Sequence, residues 1–440
     1  MGDNSAAPAV VTGWFASSFG RFWVSRVLAQ TAQSALLYGL LIALVEQTTA
    51  GIWASLFVVC SIVPALVLGL PGGVIADWLP QRGLMVILNG LRVLAILVAL
   101  RGAFDVADIF IVTIAIWVIH QFYSPAESAL LPALVSTEKL SRASSLHNLA
   151  LSISQLLGMV ILAPLVLKLG DIKILLGLCA ALYLAAGIAL VRIDAPRRVR
   201  QTSDESLAAE SSASLMTGWR MMVRDRRAFG ALVDSVMIGI GLSALVVIVP
   251  QFLVDVLDTD AGNTVFVFAP AALGLVVGLQ IAPLLGSLIG FGRLAAAGLA
   301  LFSCAILAIG SVEQISELLY ERGILVSWVQ EQLGIRPIIA TTMLLSIPAG
   351  LAVGTVNVAI RTELVLRTPP ESHARVFATQ ATLANLGSLV PTLAAGLLID
   401  LTGARAVAVT VAIGLLIGAV FARRIGSAAR ATPADAKVSP

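Results

Sequence analysis

The sequence predicts an all-α polytopic membrane protein with twelve transmembrane helices in two six-helix halves. Its composition says so first: 58% of the 440 residues are hydrophobic and 12% charged, where soluble proteins carry about 25% charged residues. The mean hydropathy of +0.97 is spread along nearly the whole chain, which excludes a soluble protein tied to one membrane anchor. The 37 Gly and 18 Pro are tolerable within spans, where neighbouring helices re-satisfy freed backbone groups, and favour helices over a barrel of short alternating strands.

With about 20 apolar residues needed per span, spans are expected near 22–45, 51–76, 84–100, 109–131, 143–167 and 174–191. Six more follow near 228–253, 265–288, 294–311, 337–360, 376–399 and 406–422. The organisation is then a cytoplasmic N-terminal segment (1–21), an N-terminal half (22–191), a linker (192–227), a C-terminal half (228–422) and a tail (423–440). The linker contains RRVRQTSDESLAAESSASL, too polar and Ser-rich to bury enough apolar surface to order itself. It and the tail are expected to be disordered.

Charge orients the spans. With the amino terminus inside, 20 of the 28 Lys and Arg fall in inner loops, linker and termini, six fall in outer loops, and Arg26 and Arg92 lie within spans. Basic residues gather on the cytoplasmic side, so both termini and the linker are placed there, in the cell (inner) membrane.

Several function classes are excluded. The net charge of +3 is scattered over loops, giving no footprint for nucleic acid. Cys60, Cys179 and Cys304 lie in apolar runs without CxxC spacing, so neither a disulfide framework nor a metal site is expected. No phosphate-binding loop, His/Cys cluster or cofactor fingerprint is present, so an enzyme is not expected. The start MGDNSAAPAVVTGWF has an acid and no basic region, unlike a cleaved signal peptide.

An internal repeat divides the chain. Glu138-x-x-x-Arg142 after span four recurs as Glu371-x-x-x-Arg375 after span ten, offset by 233 residues, while Gly73-x-x-x-Asp77 after span two corresponds to Gly286-x-x-x-Gly290, offset by 213. The 20-residue difference sits in the outer loop Ser311–Arg336. Within it, Val312 to Leu333 has apolar residues at helical spacing among Glu313, Glu317, Glu321, Arg322 and Glu331. A short amphipathic helix on the outer surface is expected, interrupted near Gly323, because those charges would be costly in hydrocarbon. Two six-helix repeats of like orientation are the architecture of a rocking transporter with its site at the midplane.

The stretch Gly69-Leu-Pro-Gly-Gly73-Val-Ile-Ala-Asp77-Trp-Leu-Pro-Gln-Arg82 resembles the signature loop of the major facilitator superfamily, and it falls between spans two and three. Phe122-Tyr-Ser-Pro125-Ala-Glu127 and Leu134-Val-Ser-Thr-Glu138-Lys-Leu140-Ser-Arg142-Ala resemble the branch holding macrolide-type drug exporters, the enterobactin exporter and the lysophospholipid transporter. Pro369-Pro-Glu371-Ser-His-Ala-Arg375-Val-Phe is similar to that branch's second-half counterpart. The resemblance covers roughly residues 20 to 422 and implies a secondary active transporter. It also implies a gating latch at the first loop, from Gly73, Asp77 and Arg82 with Glu127. The second copy has Gly290 where the acid would stand, so only the first is expected to act as a charged latch.

Residues inside the spans supply further sites. Arg26 and Asp234 lie at similar depth on the first spans of the two halves and need partners there. They either bridge as an inter-half gate or are satisfied separately, Arg26 by snorkelling and Asp234 locally. Arg92 and Glu127 are expected to form an ion pair within the first half. Gln30, Gln33, Ser34, His120, Gln121, Tyr123 and Asn357 lie nearer the midplane and are expected either to line a substrate cavity or to bond between helices. His120 is also a proton-carrier candidate.

The leading expectation is a proton-coupled exporter of small amphipathic or lipophilic compounds, working as a monomer by alternating access. The alternative is lysophospholipid translocation across the inner membrane, raised by the scarcity of acids near the midplane. A receptor or scaffold that transports nothing would need a folded extramembrane domain, and a 36-residue linker and a 26-residue outer loop are too short for one.

Overall fold

The computed structural model describes residues 17–48, 50–101, 104–135, 157–193, 207–259, 264–321, 335–369 and 372–427, with scattered positions between 143 and 155. Every regular element among them is helical. The chain divides into two compact units, one of residues 1–48 and 60–209, the other of residues 49–59 and 210–440. The division falls inside the expected linker, and the first turns of the second helix belong to the second unit.

In the first unit the helices are α1 (Ser18–Gln47), α2 (Gly51–Trp78, from residue 60 onward), α3 (Gln81–Ala99), α4 (Val106–Leu134), α5 (Ala163–Leu169) and α6 (Ile172–Val191). Local chemistry sets several ends. The Ser17 hydroxyl accepts from the Gly20 amide at 3.0 Å, and Asp105 and Asp108 form a reciprocal capping box at the start of α4, each satisfying amides that a helix start leaves orphaned. A π-helical segment, Leu157–Leu162, leads into α5. There Gly158 lies so close to the Thr31 carbonyl of α1 that a side chain would collide with backbone. α1 packs on α6, the π segment and α4, and α3 packs on both α4 and α6.

In the second unit α7 (Leu207–Arg224) precedes α8 (Arg226–Asp255), α9 (Thr264–Ile289), α10 (Phe291–Gly310), α11 (Val312–Glu321), α12 (Pro337–Arg367) and α13 (His373–Ser427). Asp225 caps α8 through the amides of Arg227 and Ala228. α8 packs mainly on α13, α9 on α12, and α10 on both α12 and α13. Gly274 of α9 and Gly350 of α12 each abut the other helix's backbone with no room for a Cβ, the close approach that small residues allow between membrane helices. The 55-residue α13 is broken by Gly403, whose φ of 83° and ψ of 159° are non-helical and open to glycine at little cost.

Ten helices among the described residues are long and apolar enough to cross a membrane, one of them the 50-residue stretch Arg375–Arg424, and Ile153–Leu169 is a shorter apolar helix. This is a polytopic membrane protein. Large apolar side chains such as Val67, Leu288, Val390 and Ile417 are exposed, whereas Arg26, Gln33, Asn89, Arg92, Glu127 and Asp234 are buried. With lipid as solvent, apolar outward faces cost nothing and polar groups turn inward to find partners.

Two expectations are corrected. The linker is not without structure: its second part is the helix α7, continuing to Arg224, because Met216, Trp219, Met222 and Val223 recur at helical spacing and Met222 is fully buried. The last helix runs through Ser427, taking in the first five residues of the expected tail. The outer segment is helical over Val312–Glu321, and its continuation towards Leu333 lies outside the described residues.

Candidate functional site

The first unit buries a charged cluster between α1, α3, α4 and α6. Arg26 projects from α1 eight residues after Ser18, and Glu127 from α4 seven residues before Leu134, so both lie about 10–12 Å along their helices from the same end. The Arg26 guanidinium donates to Glu127 Oε2, forming an ion pair whose side chains are 9% and 3% exposed. Such a pair offsets charges that would be expensive alone in a dry interior. Glu127 thus pairs with Arg26 and not, as expected, with Arg92.

Arg92 is fully buried on α3. Its guanidinium lies 4.4 Å from the Tyr123 ring centroid and 5.0 Å from that of Tyr183, a cation held between two π-faces. It donates to Asn89 Oδ1 at 3.4 Å and to His120 Nδ1 at 3.3 Å. Arginine has no acceptor, so Nδ1 of His120 accepts, and in this arrangement that nitrogen carries no proton. His120 also packs against Trp117. No carboxylate pairs with Arg92 among the described residues, so two guanidiniums share one carboxylate and the cluster holds a surplus positive charge. Asn89 and Tyr183 were not singled out from sequence. The signal would have been their place on the two helices facing span four, at the height of Arg92.

The other expected residues fall as follows. Gln30 donates to Ser34 Oγ one turn on at 3.3 Å, and Gln30, Gln33 and Ser34 are all buried. Gln121 bonds its own helix at the Trp117 carbonyl. Asn357 bonds the Val353 carbonyl and is exposed. Arg82 donates to the Val191 carbonyl and Arg21 to the Arg192 carbonyl, so both serve the carboxyl end of α6, where cations and donors are favoured. The surroundings of Gly73, the side chain of Asp77, and all of Glu138, Arg142 and Glu371 lie outside what is described, and Arg375 is exposed.

In the second unit Asp234 of α8 is 3% exposed, and its Oδ1 has no hydrogen-bond partner among the described residues. Arg26, the expected partner of Asp234, takes Glu127 within the first unit. On α12, Glu363 accepts from Arg367 Nε at 3.2 Å one turn on.

Apolar helices that bury a few ionic groups define a polytopic membrane protein with a charged interior. Residues 1–329 match the profile described as the Major Facilitator Superfamily, and the chain belongs to it. It is a secondary transporter of that superfamily and not an enzyme. The fold is similar to a mutant of the nucleoside transporter NupG, with 12% identity and a TM-score of 0.70 over 93% of this chain and 100% of that one. It is similar to an auto-inhibited peptide transporter of the POT family, with 11% identity and a TM-score of 0.68 over 94% and 98%. A bacterial homologue of the human lysosomal transporter Spinster, inward-facing and unoccupied, matches with 12% identity and a TM-score of 0.67 over 98% and 100%. At these identities the likeness is one of fold. No curated protein matches the sequence.

Proposed function

We propose that the chain translocates lysophospholipid, or a like amphiphile with an anionic head, across the inner membrane by alternating access. The observation that carries this is the surplus charge of the first unit: among the described residues the buried guanidiniums of Arg26 and Arg92 share one carboxylate, Glu127, which Arg26 takes in an ion pair. A cluster with one more guanidinium than carboxylate in a low-dielectric interior projects a positive field, which favours a phosphate-bearing head over a cationic drug. Gln30, Gln33 and Ser34 of α1 offer neutral hydrogen bonds to such a head.

Counting α13 as two spans parted at Gly403 and Ile153–Leu169 as the fifth gives twelve spans in two sets of six. The bias of basic residues puts both termini in the cytoplasm. The loop of Gly73, Asp77 and Arg82 serves as a cytoplasmic latch, which the resemblance to the family's signature supports.

A second reading, proton-coupled export of small amphipathic compounds, is favoured by the buried Asp234, whose Oδ1 has no hydrogen-bond partner among the described residues. The discriminating experiment reconstitutes the full chain in proteoliposomes and follows fluorescent lysophospholipid and a cationic dye, each with and without a pH gradient. Lysophospholipid movement without dye movement is the expected result; dye movement alone overturns the lipid reading.

A further inference from the structure

The helix α7 turns one face into the second unit and leaves another outside. Inward lie Gly218 and Met222: Gly218 meets the Arg375 carbonyl and the Thr379 hydroxyl of α13 with no room for a Cβ, and Met222 is fully buried. Outward lie Met216, Trp219 and Val223, all exposed, with Arg220 and Arg224 exposed beside them. At 3.6 residues per turn the order around the helix is packed face, apolar stripe, arginine edge.

The unit's own contacts set the depth of this face. The Trp219 ring stands edge-on to Phe229 with centroids 6.2 Å apart. Phe229 is the fourth residue of α8, about 4–5 Å along a helix that is long and apolar enough to cross a membrane. The α13 residues that Gly218 touches, Arg375 and Thr379, open the crossing stretch Arg375–Arg424. α7 therefore lies across the starts of two spans, where hydrocarbon gives way to head groups, and tryptophan is enriched at that boundary. Charge runs with it: Arg220, Arg224, Arg226 and Arg227 fall close together with Asp225 as the acid among them, and Asp225 is occupied in capping α8.

We propose that the outer face of α7 is a docking surface for anionic diacyl phospholipid of the leaflet it rests on. Met216, Trp219 and Val223 enter the acyl region beneath the head groups, and Arg220 and Arg224 take lipid phosphates. A guanidinium matches phosphate oxygens through its planar fork, and a helix with an apolar stripe beside a basic edge lies in the plane of the interface. A protein partner fits less well, because a stable interface uses about 20–30 residues a side and this face offers five. The lipid here is a standing partner of the linker helix and not cargo, so the surface serves equally whichever amphiphile the chain carries.

The test places a bimane probe at Val223→Cys, and separately at Met216→Cys, in the full chain with Cys60, Cys179 and Cys304 replaced by alanine. The protein sits in phosphatidylcholine nanodiscs holding a small fraction of either phosphatidylglycerol or phosphatidylcholine with brominated acyl chains. Both probes are expected to be quenched, and brominated phosphatidylglycerol is expected to be enriched around them by about fivefold per arginine at low ionic strength. Arg220→Gln combined with Arg224→Gln should make the two lipids quench equally while the melting temperature holds. Excess lysophospholipid should leave the quenching unchanged, which separates a lipid held at α7 from a transported one. The tryptophan emission lost between parent and Trp219→Phe, read against the same lipids, gives the answer without cysteine replacement. Three results each overturn the proposal: unquenched probes with water-like emission, unquenched probes with blue-shifted emission, which means that protein covers the face, and equal quenching by the two lipids in the parent.

Discussion

Arg26 of α1 and Glu127 of α4 close a buried ion pair within the first unit. Removing one partner strands the other charge, at a cost of about 3–5 kcal/mol. Arg26→Leu and Glu127→Leu are each expected to lower the thermal unfolding midpoint in detergent sharply. The double variant should lose less than the two single losses together. Simple additivity in that cycle contradicts the pair.

Arg92→Lys is expected to behave as a disruptive change. Lysine keeps the charge but loses the planar fork that reaches both Asn89 and His120 and stacks between Tyr123 and Tyr183. Desolvated cation–π contacts contribute about 2 kcal/mol, so a loss of that order in stability is predicted. Melting indistinguishable from the parent counts against the aromatic clamp.

Gly158→Leu forces a side chain into the Thr31 carbonyl, and overpacking of this kind costs about 1–3 kcal/mol. Gly90→Leu on α3 meets nothing within 4 Å and serves as the matched control. Membrane yield and melting temperature should fall for the first and hold for the second; equal effects contradict the close approach of α1 and the π segment.

α11 is expected to lie on the outer surface. Gln314→Cys and Tyr320→Cys, both at exposed positions, should react with an impermeant maleimide added outside, and labelling of one from each side would make the segment a span. Ser316 is 5% exposed and is the wrong place for such a probe. The Arg405–Glu313 bridge at 2.6 Å has side chains 40% and 45% exposed, so Glu313→Gln should cost less than about 1 kcal/mol.

If the loop after α2 is a charged latch, Asp77→Asn lowers flux while expression and insertion hold. Normal flux from a well-inserted Asp77→Asn protein removes the latch from the account.

The helices were largely legible because lipid demands long apolar runs, and the positions of ten of them follow from that demand alone. The linker helix α7 was not, since its Ser-rich start hides the apolar spacing of Met216, Trp219 and Met222. Charged depth was legible, but pairing was not. Arg26, Glu127 and Asp234 all sit seven or eight residues inside a helix end, so depth could not choose between the two acids for Arg26. Ending span four near residue 131, when α4 continues past Pro132 to Leu134, also set Glu127 nearer the helix end than it lies. Arg92 was read as needing an acid, whereas the structure satisfies it with aromatic faces, an amide and an imidazole, none of which announces itself in the sequence.

The central claim, that a buried cationic surplus selects an anionic amphiphile, is tested most directly by competition in proteoliposomes. Transport of a fluorescent lysophospholipid is measured against excess unlabelled lysolipids that share one acyl chain and differ only in head-group charge. The account predicts that anionic heads compete strongly, that cationic heads do not, and that Arg92→Gln erases the difference. Competition by cationic heads equal to that of anionic ones would contradict it.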